Sequence, residues 1–404
     1  MVAPELLSKI NERRVLEFVQ ASGPSSRAGM ARACAMSAPT VSKAVSSLIR
    51  DGLLEESGIS EGFGRPGKLL QIAHQTANVL GVVVNAGTCW VGSASLDGKL
   101  LDGNQRSFST PETYPELLST IERQLGDIGG GASTLKSRFR GVGLSVPGLL
   151  NSRLDRTVVS PNLHLLDGQS LASDLSTRLE LRCTALQESH ALCVGERMYG
   201  AARGLENFAM LDVSTGLGLG IFSGGSLLTG NSGMAGELGH ITVERAGLPC
   251  GCGNRGCLET VATDSAFARE ISQILGRSLG ISEAIDAIQN GTVNADAVIE
   301  RTVDYLAIAV AAVINVFNPS TLFLHGKLLG SHPAIFDRVL AQARERTLRP
   351  SFADCSIRQT KGDKRQGAVA GIIRQLTDEL APDIALLGRG AAKTSALPKW
   401  RRNR

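Results

Sequence analysis

The segment HITVERAGLPCGCGNRGCLE, His240–Glu259, packs three of the chain's eight cysteines into eight residues. Cys250, Cys252 and Cys257 follow His240, which lies ten positions upstream of the first thiol, and Glu259 comes two positions after the last. Three soft thiolates and one borderline imidazole are the donors that tetrahedral Zn2+ prefers, and four protein ligands leave no open position for catalysis. The expected cofactor is therefore a structural zinc. Gly251, Gly253 and Gly256 lie among the thiols and let the backbone turn tightly enough to gather them. Reduced core cysteines are the competing reading. Disulfides are the weaker one, because nothing marks the chain as secreted. The spacing is not that of a DNA-binding finger, whose ligands flank a reading helix.

Around this segment, 404 residues suffice for two or three domains, and 43% hydrophobic with 20% charged residues is ordinary for a folded protein. No apolar run approaches the roughly 20 residues needed to span a bilayer, and the start MVAPELLSKINERR lacks the basic-then-apolar order of a signal peptide. The expected location is cytoplasmic, with no membrane partner. A net charge of +4 is too small to indicate nucleic acid by itself, since the tail GRGAAKTSALPKWRRNR carries much of the excess. Residues 383–404 read as a basic, disordered extension. Cys34, Cys89, Cys183, Cys193 and Cys355 show no pairing pattern and read as small core residues.

The N-terminal residues 1–75 read as a separate unit. Val15, Phe18 and Val19 recur at helical spacing before the turn signal Ser22, Gly23, Pro24. Ser25 or Ser26 then caps a short second helix, and Ser37 followed by Pro39 opens a third that runs to about Arg50. On that helix Val41, Val45, Leu48 and Ile49 form a buried face, leaving Thr40, Ser42, Lys43, Ser46 and Ser47 outward. This is the layout of a helix-turn-helix, with Ser37, Pro39, Thr40, Ser42 and Lys43 placed for phosphates and base edges. The following LLEESGISEGFGRPGKLLQI reads as a hairpin wing, with Arg65 and Lys68 suited to a minor groove.

Beyond residue 76 the pattern becomes α/β. Val79–Val84, a second strand with the Asp97, Gly98 turn, a helix from Tyr114 to Leu125 and a strand at Val142–Val146 make one cycle. A second cycle starts at Phe208–Val213, continues through long helices within 262–290 and 294–317, and is closed by the strand Thr321–Leu324. Two such units predict two lobes, 76–185 and 186–382, with a ligand cleft between them. The last helix is assigned to the second lobe or to a return onto the first. Asn162, Glu188, Glu237, His240 and Glu259 are the polar candidates for that cleft.

The N-terminal unit, GRPGK, SVPG, SPNL, STGLGLGIFSGGSLLTGNSGMAGELGH and CGCGNRGCLE together resemble the ROK family of sugar-responsive repressors and sugar kinases, over nearly the whole chain to about residue 382. The match is to its repressor branch, which includes xylose and N-acetylglucosamine repressors. The resemblance implies a winged helix-turn-helix followed by a two-lobed, actin-like α/β domain of the sugar-kinase type. It implies zinc on His240, Cys250, Cys252 and Cys257, and sugar hydroxyls held by Asn162, Glu237, His240 and Glu259.

Kinases of this family carry a DxGGT phosphate turn, where this chain has Asn85, Ala86, Gly87 and Thr88. Without that carboxylate the metal-bound phosphates lose an organising charge. The catalytic aspartate position falls on Glu188, after Gln187, and a displaced carboxylate can cost on the order of 100-fold in rate. Glu188 is therefore read as a sugar ligand. The loop Ser214–Gly218 survives in outline, but Leu324, His325, Gly326 and Lys327 replace a glycine run. The expectation is a non-enzymatic, sugar-responsive regulator, a repressor of carbohydrate uptake or catabolism genes. It would bind operator DNA as a homodimer or dimer of dimers and answer to a sugar or sugar phosphate. An ATP-dependent sugar kinase with an accessory DNA-binding domain is the alternative.

Overall fold

The computed structural model describes residues 4–59, 67–331 and 333–381. Its N-terminal unit comprises α1 (Pro4–Ser22), β1 (Ser25–Ser26), α2 (Arg27–Ala33), α3 (Ala38–Arg50), β2 (Leu54–Ile59) and β3 (Lys68–Ile72). Ser26 Oγ accepts from the Gly29 amide at 3.2 Å and Ser37 Oγ from the Thr40 amide at 3.3 Å, so each of the two serines satisfies one orphan donor of its helix. Such caps are worth about 1 kcal/mol each. Val41, Val45 and Leu48 meet Val15, Leu16, Val19 and Met30 in a common core. Ser47, expected to face outward, is instead buried and accepts from Arg50 at 2.9 Å. Because α3 is covered by α1, α2 and β2 together, its buried sector is wider than one apolar stripe. β3 pairs antiparallel with both β1 and β2, which gives the hairpin of a winged helix-turn-helix.

The first lobe follows directly: β4 (Asn78–Val83), β5 (Thr88–Ser95), β6 (Leu100–Ser109), α4 (Tyr114–Gly129), α5 (Ala132–Arg138), β7 (Phe139–Val146), β8 (Leu149–Asn151), β9 (Arg156–Val159), α6 (Leu171–Leu179) and β10 (Cys183–Gln187). Its sheet runs β10-β7-β4-β5-β6, with the β4-β5-β6 meander antiparallel and β7 and β10 parallel to β4. The Asp97, Gly98 turn joins β5 to β6 as the sequence predicts. α4 buries Leu117, Leu118, Ile121, Leu125 and Ile128 against this sheet, and ends at Gly130 in the left-handed conformation.

In the second lobe the same plan recurs. After α7 (Glu188–Tyr199) come β11 (Phe208–Asp212), β12 (Gly218–Ser223), β13 (Ser226–Leu227), α8 (Asp264–Leu275), α9 (Ile281–Gln289), α10 (Asp296–Phe317), β14 (Thr321–His325), α11 (Lys327–Ser331), α12 (Pro333–Arg346), α13 (Arg349–Asp354), β15 (Ser356–Gln359) and α14 (Lys364–Leu380). The sheet order is β13-β12-β11-β14-β15, again an antiparallel meander followed by two parallel strands. This duplicated order is the actin-like sugar-kinase arrangement. One strand assignment is corrected: β14 does not close the sheet, because β15 pairs beyond it. The SIRQ of β15 is a mostly exposed edge strand, so it lacks the apolar alternation that marks a strand in sequence.

α14 leaves the second lobe and packs across β4, β7 and β10 of the first, alongside α7. Gly143 on β7 makes this possible, since a Cβ there would lie 2.0 Å from the Ala368 carbonyl oxygen. Val369, Ile372 and Ile373 of α14 are fully buried, in one core with Val15, Leu16 and Val19 of α1 and with Val79 and Ala94 of the sheet. Each such side chain contributes about 1.5–3 kcal/mol relative to exposure. The N-terminal unit is thus seated on the first lobe through α14. Arg13 of α1 reinforces the seat, pairing with Asp378 at 2.8 Å and donating to the Ala381 carbonyl at 2.6 Å. Among the described residues no helix is long and apolar enough to cross a membrane.

Candidate functional site

Two short 3-10 turns, Leu238–His240 and Leu258–Thr260, pack against each other at the base of the interlobe cleft. Each carries one carboxylate of the cleft and abuts one residue of the cysteine cluster. Glu237 precedes the first turn and His240 ends it, while Cys257 precedes the second and Glu259 sits within it. The Cys250–Cys257 loop is a tight ribbon closed by bridges between Thr242 and Cys257 and between Pro249 and Arg255. It lies directly on the first lobe: a Cβ on Gly251 would be 2.3 Å from the Pro161 carbonyl oxygen, one residue before Asn162. The loop therefore supports both walls.

His240, Cys250, Cys252 and Cys257 could hold a metal ion, their ligand atoms all lying within 4.8 Å of one another. His240 Nδ1 is 3.6 Å from Cys250 Sγ, and the Cys252 and Cys257 sulfurs are 3.7 Å apart. A tetrahedron with sulfur ligands about 2.3 Å and nitrogen about 2.0 Å from its centre has edges of about 3.5–3.8 Å. The donor set and the spacing fit such an ion. With Nδ1 turned to the thiols, the other ring nitrogen of His240 faces Glu237 at 3.7 Å.

Asn162, Glu188, Glu237, His240 and Glu259 all line one cleft between the lobes, joined there by Gln187, Asp212 and the Gly216–Gly218 loop. Glu259 Oε2 accepts from the Leu217 amide at 2.9 Å, so the glycine loop closes on this carboxylate. Gln187 bridges the lobes, donating to the Gly148 carbonyl and to Glu237 Oε1, both at 3.0 Å. Its own carbonyl oxygen is buried and has no donor among the described residues. Burial pushes the Glu237 carboxyl upward, against the pull of His240 and Gln187.

Two acids of the cleft lining, Glu188 and Asp212, belong to a group of charges that satisfy one another. Lys364, at the start of α14, reaches Glu188 at 2.9 Å, Asp212 at 3.4 Å and Ser214 Oγ at 3.4 Å. Asp212 also accepts from His325 Nδ1 at 2.8 Å and from the Ser214 amide at 3.1 Å. Burial would raise Asp212, but Lys364 and then His325 outweigh it and hold the carboxyl well below the usual range. Glu188 moves the other way, because burial outweighs its pairing with Lys364. The ammonium of Lys364 stays protonated, burial opposing it and the two carboxylates prevailing. Asp212, His325 and Lys364 were not among the sequence candidates. His325 stood out only as bulk replacing glycine, and Lys364 lies 176 positions from Glu188 with no local motif around it.

On the N-terminal unit Ser37, Pro39, Ser42 and Lys43 are exposed and Thr40 half-buried, along one end of α3. Ser37 and Thr40 hydroxyls are 2.8 Å apart. Lys68 is exposed but paired with Glu56 at 2.5 Å across the hairpin. Arg65 lies outside the described residues.

The ROK family model matches residues 84–374. The chain belongs to the ROK family. It is 26% identical over 348 residues to the xylose repressor of Bacillus subtilis (strain 168), covering 84% of this chain and 88% of that protein. The glucokinase of Thermotoga maritima is 30% identical over 272 residues, covering 64% of this chain and 84% of the kinase. A crystal structure of a ROK family transcriptional regulator, a homologue of the E. coli MLC protein, superposes with a TM-score of 0.77 at 24% identity, covering 94% of this chain and 98% of that one. The first and third similarities cover more of the chain than residues 84–374 alone. The kinase similarity covers a smaller share of the chain.

Proposed function

We propose that this ROK protein is a sugar-responsive transcriptional repressor of carbohydrate uptake or catabolism genes. The observation that carries the reading is α14: its first residue, Lys364, pairs with Glu188 and Asp212 of the cleft lining, and its buried face shares a core with α1 of the helix-turn-helix unit. A ligand that alters the cleft has a short rigid element through which to change the seating of the DNA-binding unit, which is what coupling between two sites requires. Ser37, Pro39, Thr40, Ser42 and Lys43 would meet operator phosphates and base edges, with Arg65 and Lys68 on the wing. Two copies of the unit, from a homodimer or a dimer of dimers, would read the two half-sites.

In the cleft, Asn162, Glu237, Glu259 and the His240 ring edge would hold sugar hydroxyls, and Glu188 would take a hydroxyl at its free oxygen. The ion in the cysteine cluster would be zinc, given three thiolates and one imidazole. When bound it supplies rigidity to the two turns, with no open position for chemistry. Phosphoryl transfer is disfavoured because Glu188 is already engaged by Lys364, which also pairs with Asp212, itself held by His325. The kinase reading draws on the glucokinase similarity. It requires ATP-dependent phosphorylation of a sugar by the full chain.

Fluorescence anisotropy on DNA from the protein's own promoter region, with and without a panel of sugars, tests the proposal. Tight, salt-sensitive binding that one sugar weakens is expected. Lys43→Ala is expected to reduce the salt slope by about one. Absence of salt-sensitive DNA binding would overturn the regulator reading.

A further inference from the structure

A cavity of about 390 Å³ opens where α1 of the N-terminal unit meets α7 and α14, remote from the sugar cleft and sharing no residue with it. Its size falls within the range of small-molecule sites, roughly 300–1,000 Å³. Four arginines line it, Arg13, Arg197, Arg203 and Arg374, against two carboxylates, Glu17 and Asp378. The two carboxylates are already committed. Arg13 pairs with Glu17 at 2.7 Å and with Asp378 at 2.8 Å, and Arg374 pairs with Asp378 at 3.6 Å while lying over the Phe222 ring.

Arg197 is different. It is half-buried on α7 and makes no hydrogen bond or ion pair with any described residue. Arg203 uses only its Nε, which donates to the Met198 carbonyl at 2.9 Å, leaving its terminal amino groups uncommitted among the described residues. Two guanidinium groups whose terminal amino groups have no partner among the described residues, beside a concave site, are suited to bidentate capture of an oxyanion. The wall beside them is apolar, formed by Val194, Met198, Tyr199 and Phe222.

We propose that this junction cavity is a second ligand site, for a small organic oxyanion whose phosphate or carboxylate meets Arg197 and Arg203 and whose aromatic or branched body lies on the apolar wall. Since α1 forms one side and α7 and α14 the other, the ligand binds only the docked arrangement of the DNA-binding unit. Its occupancy is therefore linked to that docking.

Isothermal titration of the full chain with phenyl phosphate and with phenylacetate, at constant ionic strength, tests this. Saturable binding of at least one probe is expected, tighter than that of inorganic phosphate alone, and weakened at least about tenfold by Arg197→Ala or Arg203→Ala. Arg197 has no contact of this kind to lose and Arg203 is exposed, so both variants are expected to melt with the wild type. Glu237→Gln, which alters the sugar cleft, is expected to leave probe binding unchanged. The proposal is overturned if neither probe saturates, if both arginine variants bind as the wild type does, if inorganic phosphate binds as tightly as the aromatic probes, or if Glu237→Gln abolishes binding.

Discussion

On one side of the interlobe cleft, Glu237, His240 and Glu259 stand on two short turns braced by the cysteine loop, with the Gln187 side-chain oxygen meeting no donor among the described residues. On the other side, Asp212, Ser214, His325, Glu188 and Lys364 have largely consumed one another's hydrogen-bonding and charge capacity. The first side holds polar groups in place by rigid backbone and leaves acceptors for an incoming molecule. The second fills its own space. On the proposed reading, the first side is the sugar half of a kinase-like scaffold, and the second is its phosphate half turned into an internal ion-pair network that belongs to the chain's own last helix.

Removing the brace should have the largest effect. If the cluster holds the proposed zinc, Cys257→Ser is expected to abolish metal binding, lower stability by on the order of 4 kcal/mol or more, and eliminate sugar-induced stabilisation. Metal analysis alongside denaturant unfolding checks it, and metal-free protein with a full sugar response would break the contrast. Next, Lys364→Met leaves Glu188 and Asp212 buried and facing each other, an uncompensated charge that costs about 3–5 kcal/mol. Adding Glu188→Gln should recover part of that loss in urea unfolding. Strictly additive losses would mean that the pair does not act as a unit.

A smaller change is expected from Glu237→Gln. Burial already favours the neutral form of this carboxyl, so the isosteric amide should fold normally. Titration calorimetry should nevertheless show sugar affinity reduced by about 0.5–1.5 kcal/mol, the net loss of one hydrogen bond. The smallest effect concerns His325, whose proton affinity is raised because the Asp212 hydrogen bond and charge outweigh its burial. A raised pKa contributes stability that is present below the unfolded value of about 6.5 and fades as pH rises through the folded one. Wild type and His325→Gln should therefore differ by about 1 kcal/mol near pH 5.5 and by less near pH 8.5. A gap independent of pH would remove the charged His325–Asp212 pair from the network.

What could be read from the chain was local. The three helices and the hairpin of the N-terminal unit announce themselves through caps at Ser26 and Ser37 and a buried face within one helix, all decided within a few residues. Glu237 and Glu259 were accessible for the same reason, since they stand within a few positions of metal-ligand candidates whose spacing is distinctive. β15 was missed because an exposed edge strand has no apolar period to detect, and Ser47 was misplaced because α3 is covered from three directions.

The cysteine cluster, the layout of the N-terminal unit and the two α/β cycles follow from the chain's local order, because capping, periodicity and ligand spacing are short-range properties. Long-range packing is what turns α14 back onto the first lobe, carries Lys364 to Glu188 and Asp212, and gives α14 a core in common with α1. The same return creates the arginine-lined junction with α7. Those contacts join residues more than a hundred positions apart, and their partners are chosen by which faces remain to be buried once the two sheets have formed.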